Sequence, residues 1–293
     1  MISRFLMLSF LSIFTISCSS TQTIAQQGVD QTAAQEPVRI ATIPRSQAPS
    51  VYAKRAIVVD YDTGRILHEK NAHQRCAIAS TQKLLTALCV LDAGSTQNKV
   101  TVQKTDTLVE PTKIYIKPGE TYTRYDLLKA LTVKSGNDVA RALARDVAGS
   151  QQSFANVMNR KARSLGMRNS HFVNPHGLTE NGQYSTAYDL AILSRAAFSN
   201  PTIRSFTHIK GYYFFHPDGK RKWLDNTNKV LKRVPYCNGM KTGTTKASGR
   251  CLVSSGTYNG RTAIVVVLGS NSANVWSDSE KLLRWALERP AAQ

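Results

Sequence analysis

Ser80 stands three residues ahead of Lys83 in IASTQKLLTALCV (78–90), at the mouth of an apolar helical pattern. Residues three apart on a helix share a face, with Cβ atoms about 5–6 Å apart, so the amine can reach the hydroxyl. To take the serine proton the amine must be neutral. With a pKa of about 10.4, a free lysine is neutral in roughly one molecule in 2,500 at pH 7, a deficit of roughly 4.6 kcal/mol. Burial and a second nearby cation both lower a lysine pKa, so a Ser80 nucleophile with Lys83 as base demands another positive group. The tetrad also has a plainer reading. Serine is a favoured N-cap, Leu84, Leu85, Ala87 and Leu88 suit a helix, and Ser-x-x-Lys arises by chance about once in a chain of this size.

Two further motifs bear on the choice: Ser135-Gly136-Asn137 within VKSGND (133–138) and Lys241-Thr242-Gly243 within NGMKTGTT (238–245). Each is weak alone. Ser272-Ala273-Asn274 also fits Ser-x-Asn, and Lys134-Ser135-Gly136 also fits Lys-[Ser/Thr]-Gly. Ser135 by itself reads as a helix cap, and Thr242-Gly243 as a strand-edge turn. Order and context discriminate: Ser80 opens a helical pattern, Ser135 lies between two, and Lys241 leads a segment followed by a strand pair. The rest of the chain has to supply the second cation that Lys83 requires.

The elements that must position these residues are legible in outline. Arg55–Tyr61 reads as a strand, Asp62-Thr63-Gly64 as a turn and Arg65–His68 as a returning strand. Helical patterns follow at Ser80, Leu127–Val133, Asp138–Val147, Phe154–Leu165 (closed by Gly166) and Ala187–Ala197. Cys251–Ser255 and Thr262–Leu268 are β-rich around a Tyr258-Asn259-Gly260 turn, and a terminal helix spans about Asp278–Leu287. Strands at both ends enclose a helical middle. The predicted fold is of the α+β type within the α/β class: an antiparallel sheet built from N- and C-terminal strands, covered by helices, with a helical subdomain.

The chain has 293 residues, 42% of them hydrophobic, and carries 38 Lys+Arg against 19 Asp+Glu, a net +19. Such an excess points to an acidic partner: nucleic acid, an anionic membrane or an anionic wall polymer. The densest patch, KGYYFFHPDGKRKW (210–223), interleaves aromatics with cations and invites a nucleic-acid reading. An aromatic strand pair turning at Pro217-Asp218-Gly219 accounts for it without a ligand, and no nucleic-acid partner is expected.

MISRFLMLSFLSIFTISC (1–18) has Arg4 before an apolar run from Phe5 to Ile16, too short for the roughly 20 residues of a membrane span but suited to a signal peptide. Ile16-Ser17-Cys18 resembles a bacterial lipobox, with Thr15 where leucine is usual, so Cys18 is expected to carry a lipid. The other possibility is ordinary cleavage further on, after Ala25. Residues 19–50, polar and proline-punctuated, read as a linker spanning about 30 Å as a coil and about 100 Å extended. The folded domain is expected over 51–293, exported to the bacterial envelope (periplasm). Cys76, Cys89, Cys237 and Cys251 remain, enough for two disulfides in any of three connectivities. No Cys-x-x-Cys or paired-histidine spacing supports a metal, and no cofactor is implied.

In this order the three motifs are the signature of penicillin-binding proteins and class A β-lactamases. Residues 52–290 resemble the catalytic domain of the low-molecular-mass penicillin-binding proteins, the serine D-alanyl-D-alanine carboxypeptidases. The stretches that carry the likeness are AIVVDYDTGRILHEKNA, IASTQKLLTAL, YIKPGETYTRYDLLKALTVKSGNDVARALA, PHGLTENGQYSTAYDLAILSRA and NGMKTGTTKASGRCLVSSG. The resemblance implies a transpeptidase-like or β-lactamase-like fold acting on peptidoglycan stem peptides and trapped by β-lactams. It implies Ser80 as nucleophile, Lys83 as proton acceptor, Ser135 as relay to the leaving D-alanine, and Asn137 as a hydrogen-bond partner of the substrate backbone. Lys241 would supply the second cation that keeps Lys83 neutral and, with Thr242, attract the substrate carboxylate; Gly243 would let substrate approach, and the amides of Ser80 and Thr244 would form an oxyanion hole. His176 is expected to be packed rather than basic, Asn226 and Asn228 structural, and Arg250 is one candidate for binding the terminal carboxylate. Members commonly continue into a small β domain and an amphipathic anchor helix; here the expected anchor is at the opposite end, at Cys18.

Three rival activities remain on this reading. A β-lactamase of class A uses a Glu-x-x-Leu-Asn loop, which Glu180-Asn181-Gly182 does not match. A DD-endopeptidase would use the same residues, and a basic peptidoglycan-binding protein would need none of them.

Overall fold

Arg55–Asp60 (β1) turns Ile57 and Val59 to one side and Ala56 and Val58 to the other, and both sides are buried. That is how an inner strand reads when each sheet face is covered. The computed structural model describes residues 48–288, all within the unit Ile40–Gln293. The expected leader, Cys18 and nearly all of the 19–50 linker lie outside the described residues.

From β1 the chain returns as β2 (Ile66–Lys70) and reaches a short 3-10 turn, Ala79–Gln82, that runs into α1 (Lys83–Asp92). A small hairpin of β3 (Lys99–Thr101) and β4 (Thr121–Thr123) frames α2 (Lys104–Thr107). The helical middle is α3 (Arg124–Val133), α4 (Asn137–Ala148), α5 (Gln151–Ser164), α6 (Ala187–Ser199) and α7 (Pro201–Thr207). An aromatic hairpin, β5 (Gly211–Phe215) and β6 (Arg221–Asp225), follows, with its turn where Pro217-Asp218-Gly219 predicts it. The chain then supplies β7 (Cys237–Thr245), β8 (Gly249–Tyr258), β9 (Arg261–Ser270) and α8 (Val275–Leu287).

Both chain ends build one five-stranded antiparallel sheet, in the order β2-β1-β9-β8-β7. In β9, Ile264, Val266 and Leu268 face the helical middle, while Ala263, Val265 and Val267 face α8 with Leu282 and Leu283. Helix α1 packs against α3, α4, α5 and α6, and every residue from Lys83 to Val90 is buried. Its buried Leu84, Leu85 and Leu88 each contribute roughly 1.5–3 kcal/mol by leaving water, so the helix that starts beside Ser80 is firmly anchored.

Two local expectations are corrected. The helix does not begin at Ser80, and Ser80 makes no capping bond: the 3-10 turn precedes α1, and neither element has a side-chain cap. Nor is Ser135 a cap. Gly136 occupies the cap position of α4, and Ser135 sits at φ 70°, in the left-handed region. Side chains freed from capping are available for other chemistry.

Candidate active site

Lys83 is buried and held from three sides. It is 1% exposed, and its Nζ meets three acceptors: Ser80 Oγ at 2.8 Å, Asn137 Oδ1 at 2.7 Å and the His176 carbonyl at 2.5 Å. Three partners suit an ammonium with three protons. They suit a neutral amine equally, with two N–H groups spent on Asn137 and His176 and the lone pair turned to the Ser80 hydroxyl. Burial first, and then the charge of Lys241, hold its pKa well below the ordinary lysine value, against a smaller opposing pull from Asp138. Lys241 is itself 1% exposed, and burial brings it down to about 7. The second cation that the Ser80–Lys83 pair requires is therefore present, although burial is the larger cause.

The His176 carbonyl reaches this spot because the 174–177 turn is stitched onto α1. Gln82 Nε2 donates to the Asn174 carbonyl, and Thr86 Oγ1 donates to the Pro175 carbonyl at 2.7 Å. Asn174 Oδ1 accepts from the amides of His176 and Gly177. Gly177 has φ +88°, and a Cβ there would lie 2.2 Å from the Ala79 carbonyl oxygen, so only glycine lets the turn close on the Ser80 segment. The His176 ring is buried, and burial with the cations Lys83 and Arg141 depresses it to about 3. It is neutral at physiological pH, its Nδ1 accepts from the Leu178 amide, and its contribution to the site is a backbone oxygen.

Asn137 opens α4 and holds the opposite wall. Its Oδ1 accepts from Lys83 and its Nδ2 donates to the Pro111 carbonyl, leaving one amide hydrogen unspent. Its backbone amide donates to the Thr112 carbonyl. Next to it, buried Asp138 accepts from the amides of Ile114 and Tyr115, which pins the 111–115 segment along the rim although Thr112 and Tyr115 have positive φ. The first task of Asn137 is thus to fix Lys83.

Edge strand β7 closes the site. Lys241 Nζ donates to the Thr242 carbonyl at 3.0 Å. Thr242 Oγ1 donates to Thr227 Oγ1 at 2.7 Å, so this pair of hydroxyls retains one free O–H. Gly243 is required for a reason other than substrate approach alone. A Cβ there would lie 2.8 Å from the Ser80 nitrogen, 2.9 Å from Ala79 Cβ and 3.0 Å from the Thr81 nitrogen. Its absence lets β7 press against the 3-10 turn at Gly243.

Ser80, Ser135, Thr242, Gly243 and Thr244 line one cleft of about 390 Å³, together with Thr112, Asn226, Thr227 and Arg250. Lys229 and Arg250 are cations of its lining, and no carboxylate lines it. Arg250 is braced by a 3.1 Å bond to Ser272 Oγ, which accounts for Ser272 of the competing Ser-x-Asn triplet. Lys83, Asn137 and Lys241 lie buried behind this surface. Cys251 also lines the cleft, but burial pushes its thiol up to about 12. Cys76, Cys89, Cys237 and Cys251 are all free thiols, so none of the three disulfide connectivities is formed.

Comparison with known proteins places the chain in a family. The family model described as D-alanyl-D-alanine carboxypeptidase matches residues 42–272. D-alanyl-D-alanine carboxypeptidase DacF of Bacillus subtilis is 37% identical over 225 residues, which cover 75% of this chain and 58% of that protein. DacC of Escherichia coli is 36% identical over 266 residues, 85% of this chain and 64% of that protein. The chain thus spans about three fifths of these relatives. Among solved structures, a D-alanyl-D-alanine carboxypeptidase of Mycobacterium tuberculosis superposes with a TM-score of 0.79 at 30% identity, covering 85% of this chain and 95% of that one. The Streptomyces K15 DD-transpeptidase gives 0.77 at 30% identity, covering 81% and 98%. The chain belongs to the D-alanyl-D-alanine carboxypeptidase family, Peptidase S11.

Proposed function

We propose that the chain is a serine D-Ala-D-Ala carboxypeptidase that removes the terminal D-alanine from peptidoglycan stem pentapeptides through an acyl-enzyme on Ser80. The observation that carries this is the 2.8 Å contact between Ser80 Oγ and a buried Lys83 amine whose remaining hydrogens have fixed acceptors. Ser80 Oγ attacks the carbonyl carbon of the penultimate D-alanine as its proton passes to Lys83 Nζ. The amides of Ser80 and Thr244 receive the oxyanion, where each donor contributes roughly 2.7–4 kcal/mol. The C–N bond breaks, Ser135 relays a proton to the departing amine, and D-alanine leaves. Water then attacks the ester, Lys83 takes a proton from it, and Ser80 recovers its own. The free O–H of the Thr242–Thr227 pair binds the terminal carboxylate, with Arg250 on the same wall and the charge of Lys241 attracting it from behind the surface. Asn137 offers its spare amide hydrogen to the substrate backbone, and Gly243 leaves the strand edge open to it. A β-lactam acylates the same serine. Nucleophile, base and relay are protein groups, so no cofactor enters the scheme.

Cys18 at the end of an apolar leader fits lipidation, which would tether the domain to a membrane of the bacterial envelope through the 19–50 linker. The excess of positive charge suits an acidic wall polymer.

Mass spectrometry on a D-Ala-D-Ala pentapeptide tests the reaction, with loss of one alanine as the expected result. The pH profile adds a sharper check. A neutral Lys83 is the active form, so kcat/KM rises with pH as Lys83 gives up its proton, far below the pKa of a free lysine. It declines on the alkaline side as Lys241, near 7 before substrate binds, loses the charge that attracts the carboxylate. Lys241→Met removes a cation that depresses Lys83, so the acid limb moves to higher pH and KM rises. An unchanged acid limb in that variant contradicts the electrostatic role given to Lys241.

A further inference from the structure

The aromatic hairpin β5–β6 has a face with no assigned role. Strand alternation and the register Gly211↔Asp225, Tyr213↔Trp223 and Phe215↔Arg221 put Gly211, Tyr213, Phe215, Arg221, Trp223 and Asp225 on one side of the ribbon. The other side, with Phe214 and Leu224, is buried. Phe215 is 64% exposed, Trp223 49% and Tyr213 47%. Contiguous exposed aromatics of this kind mark interaction surfaces.

The geometry specifies what such a surface can hold. A Cβ on Gly211 would lie 2.6 Å from Trp223 Cζ2, so the indole lies across the ribbon over the glycine. Tyr213 meets Trp223 edge to face at 5.0 Å between centroids, and the Arg221 guanidinium covers the Tyr213 ring at 4.7 Å. The indole of Trp223 therefore packs on the ribbon as a flat face, with Tyr213 standing at 70° against it as a brace. Aromatic faces carry negative charge density, which attracts the weakly positive C–H groups of a sugar ring laid flat on them. The flanks are mainly basic: Lys222 lies over the Tyr115 ring at 4.4 Å, and the acidic Asp218 is already held by Lys117 and Lys220. Asp225 faces Lys232 at 3.9 Å. The surface therefore pairs stacking faces with a surplus of cations. It is also continuous with the cleft: β6 runs directly into Asn226 and Thr227, which line it, so Trp223 sits about 10 Å along the strand from the cleft wall.

We propose that this face binds the glycan strand of the polymer whose stem peptide occupies the cleft, with a sugar ring on Trp223, braced by Tyr213, and peptide carboxylates on Arg221. The inference rests on the reading of the cleft as a peptidoglycan site. The face acts on polymeric substrate only, because a free pentapeptide has no glycan to stack.

The test compares wild type with Tyr213→Ser/Trp223→Ser on two substrates and two surfaces. Expected are about tenfold weaker sedimentation with purified sacculi (~1.4 kcal/mol) and a similar rise in KM for D-alanine release from sacculi. The kcat/KM on soluble pentapeptide and the thermal midpoint should stay at wild-type values. Unchanged sedimentation with sacculi overturns the proposal. So does an equal loss on both substrates, which marks a structural role for the hairpin. Loss of binding to vesicles of anionic phospholipid, or to single-stranded DNA, with sacculus binding intact assigns the face to a different partner and also overturns it. If wild type leaves soluble pentapeptide untouched, the catalytic reading fails, while the sedimentation arm still decides the glycan face.

Discussion

Lys83→Met is expected to leave a folded protein whose acylation by a fluorescent penicillin is slower by a factor on the order of 10³–10⁴, the upper part of the range for a lost general base. Methionine fills the same channel between α1 and α4 without an amine. Ser80 then has no acceptor for its proton except the His176 carbonyl, 3.2 Å away, which cannot retain it. Stability changes by a difference of opposing effects. Asn137 Oδ1 and the His176 carbonyl each lose a partner, at about 1–3 kcal/mol apiece, while the cost of burying an amine far from its ordinary pKa disappears. Stopped-flow acylation and a thermal melt on the same sample separate the two. A large loss of rate with a midpoint within several degrees of wild type is the expected pair of results. Retention of the wild-type rate would show that another group takes the proton.

Gly243→Ala is the second large effect, and it works by displacement. The added methyl meets the Ser80 nitrogen at 2.8 Å, Ala79 Cβ at 2.9 Å and the Thr81 nitrogen at 3.0 Å. All three belong to the 3-10 turn, and none is the tip of a flexible side chain, so either β7 or the turn must retreat by several tenths of an ångström. Overpacking of this kind costs typically 1–3 kcal/mol. In the proposed mechanism the amides of Ser80 and Thr244 receive the oxyanion, and they sit on the two segments that are forced apart; a shift approaching 1 Å at a reacting centre costs about 100-fold in rate. The variant should therefore show kcat/KM lower by about that factor, with a modest fall in melting midpoint. Near-normal turnover would mean that the contact between β7 and Ser80 does not set the geometry.

Motif spacing reveals the chemistry of the site more readily than it reveals how the site is held. Ser80 and Lys83 are paired by helical periodicity, so their contact follows from a spacing of three. Lys241 lies far along the chain: the pKa that Lys83 must have demands a second cation, but only the family resemblance points to Lys241 for it. The cage around Lys83 is different. One of its acceptors is a backbone carbonyl, and no residue type marks a carbonyl. The nearest sequence signal is Gly177, one position beyond His176, whose necessity is visible only once its Cβ is found to clash with Ala79. Asn137 shows a related limit, since its residue type indicates an amide but not that Lys83 and Pro111 engage both ends.

The fold divides along the same line. Apolar runs such as TAIVVVL at 262–268 and the helical patterns of α3 to α6 are strong local signals. Strand β7 is polar and glycine-rich, CNGMKTGTT, and becomes a strand through its pairing with β8 rather than through its own propensity. The hairpin of β3 and β4, three residues a side, and the four residues of α2 are too short to show a period. Helix α1 starts three residues later than its pattern suggests, because the 3-10 turn that presents Ser80 is shaped by close contacts with Gly177 and Gly243.

The central claim is that Ser80 forms a covalent acyl-enzyme. Intact-mass and peptide-mapping analysis of wild type and Ser80→Ala after incubation with labelled penicillin tests it most directly. One penicilloyl adduct on the peptide that contains Ser80 in wild type, and none in Ser80→Ala, is the predicted result. An adduct that persists in Ser80→Ala, maps to another residue, or never forms on wild type contradicts it.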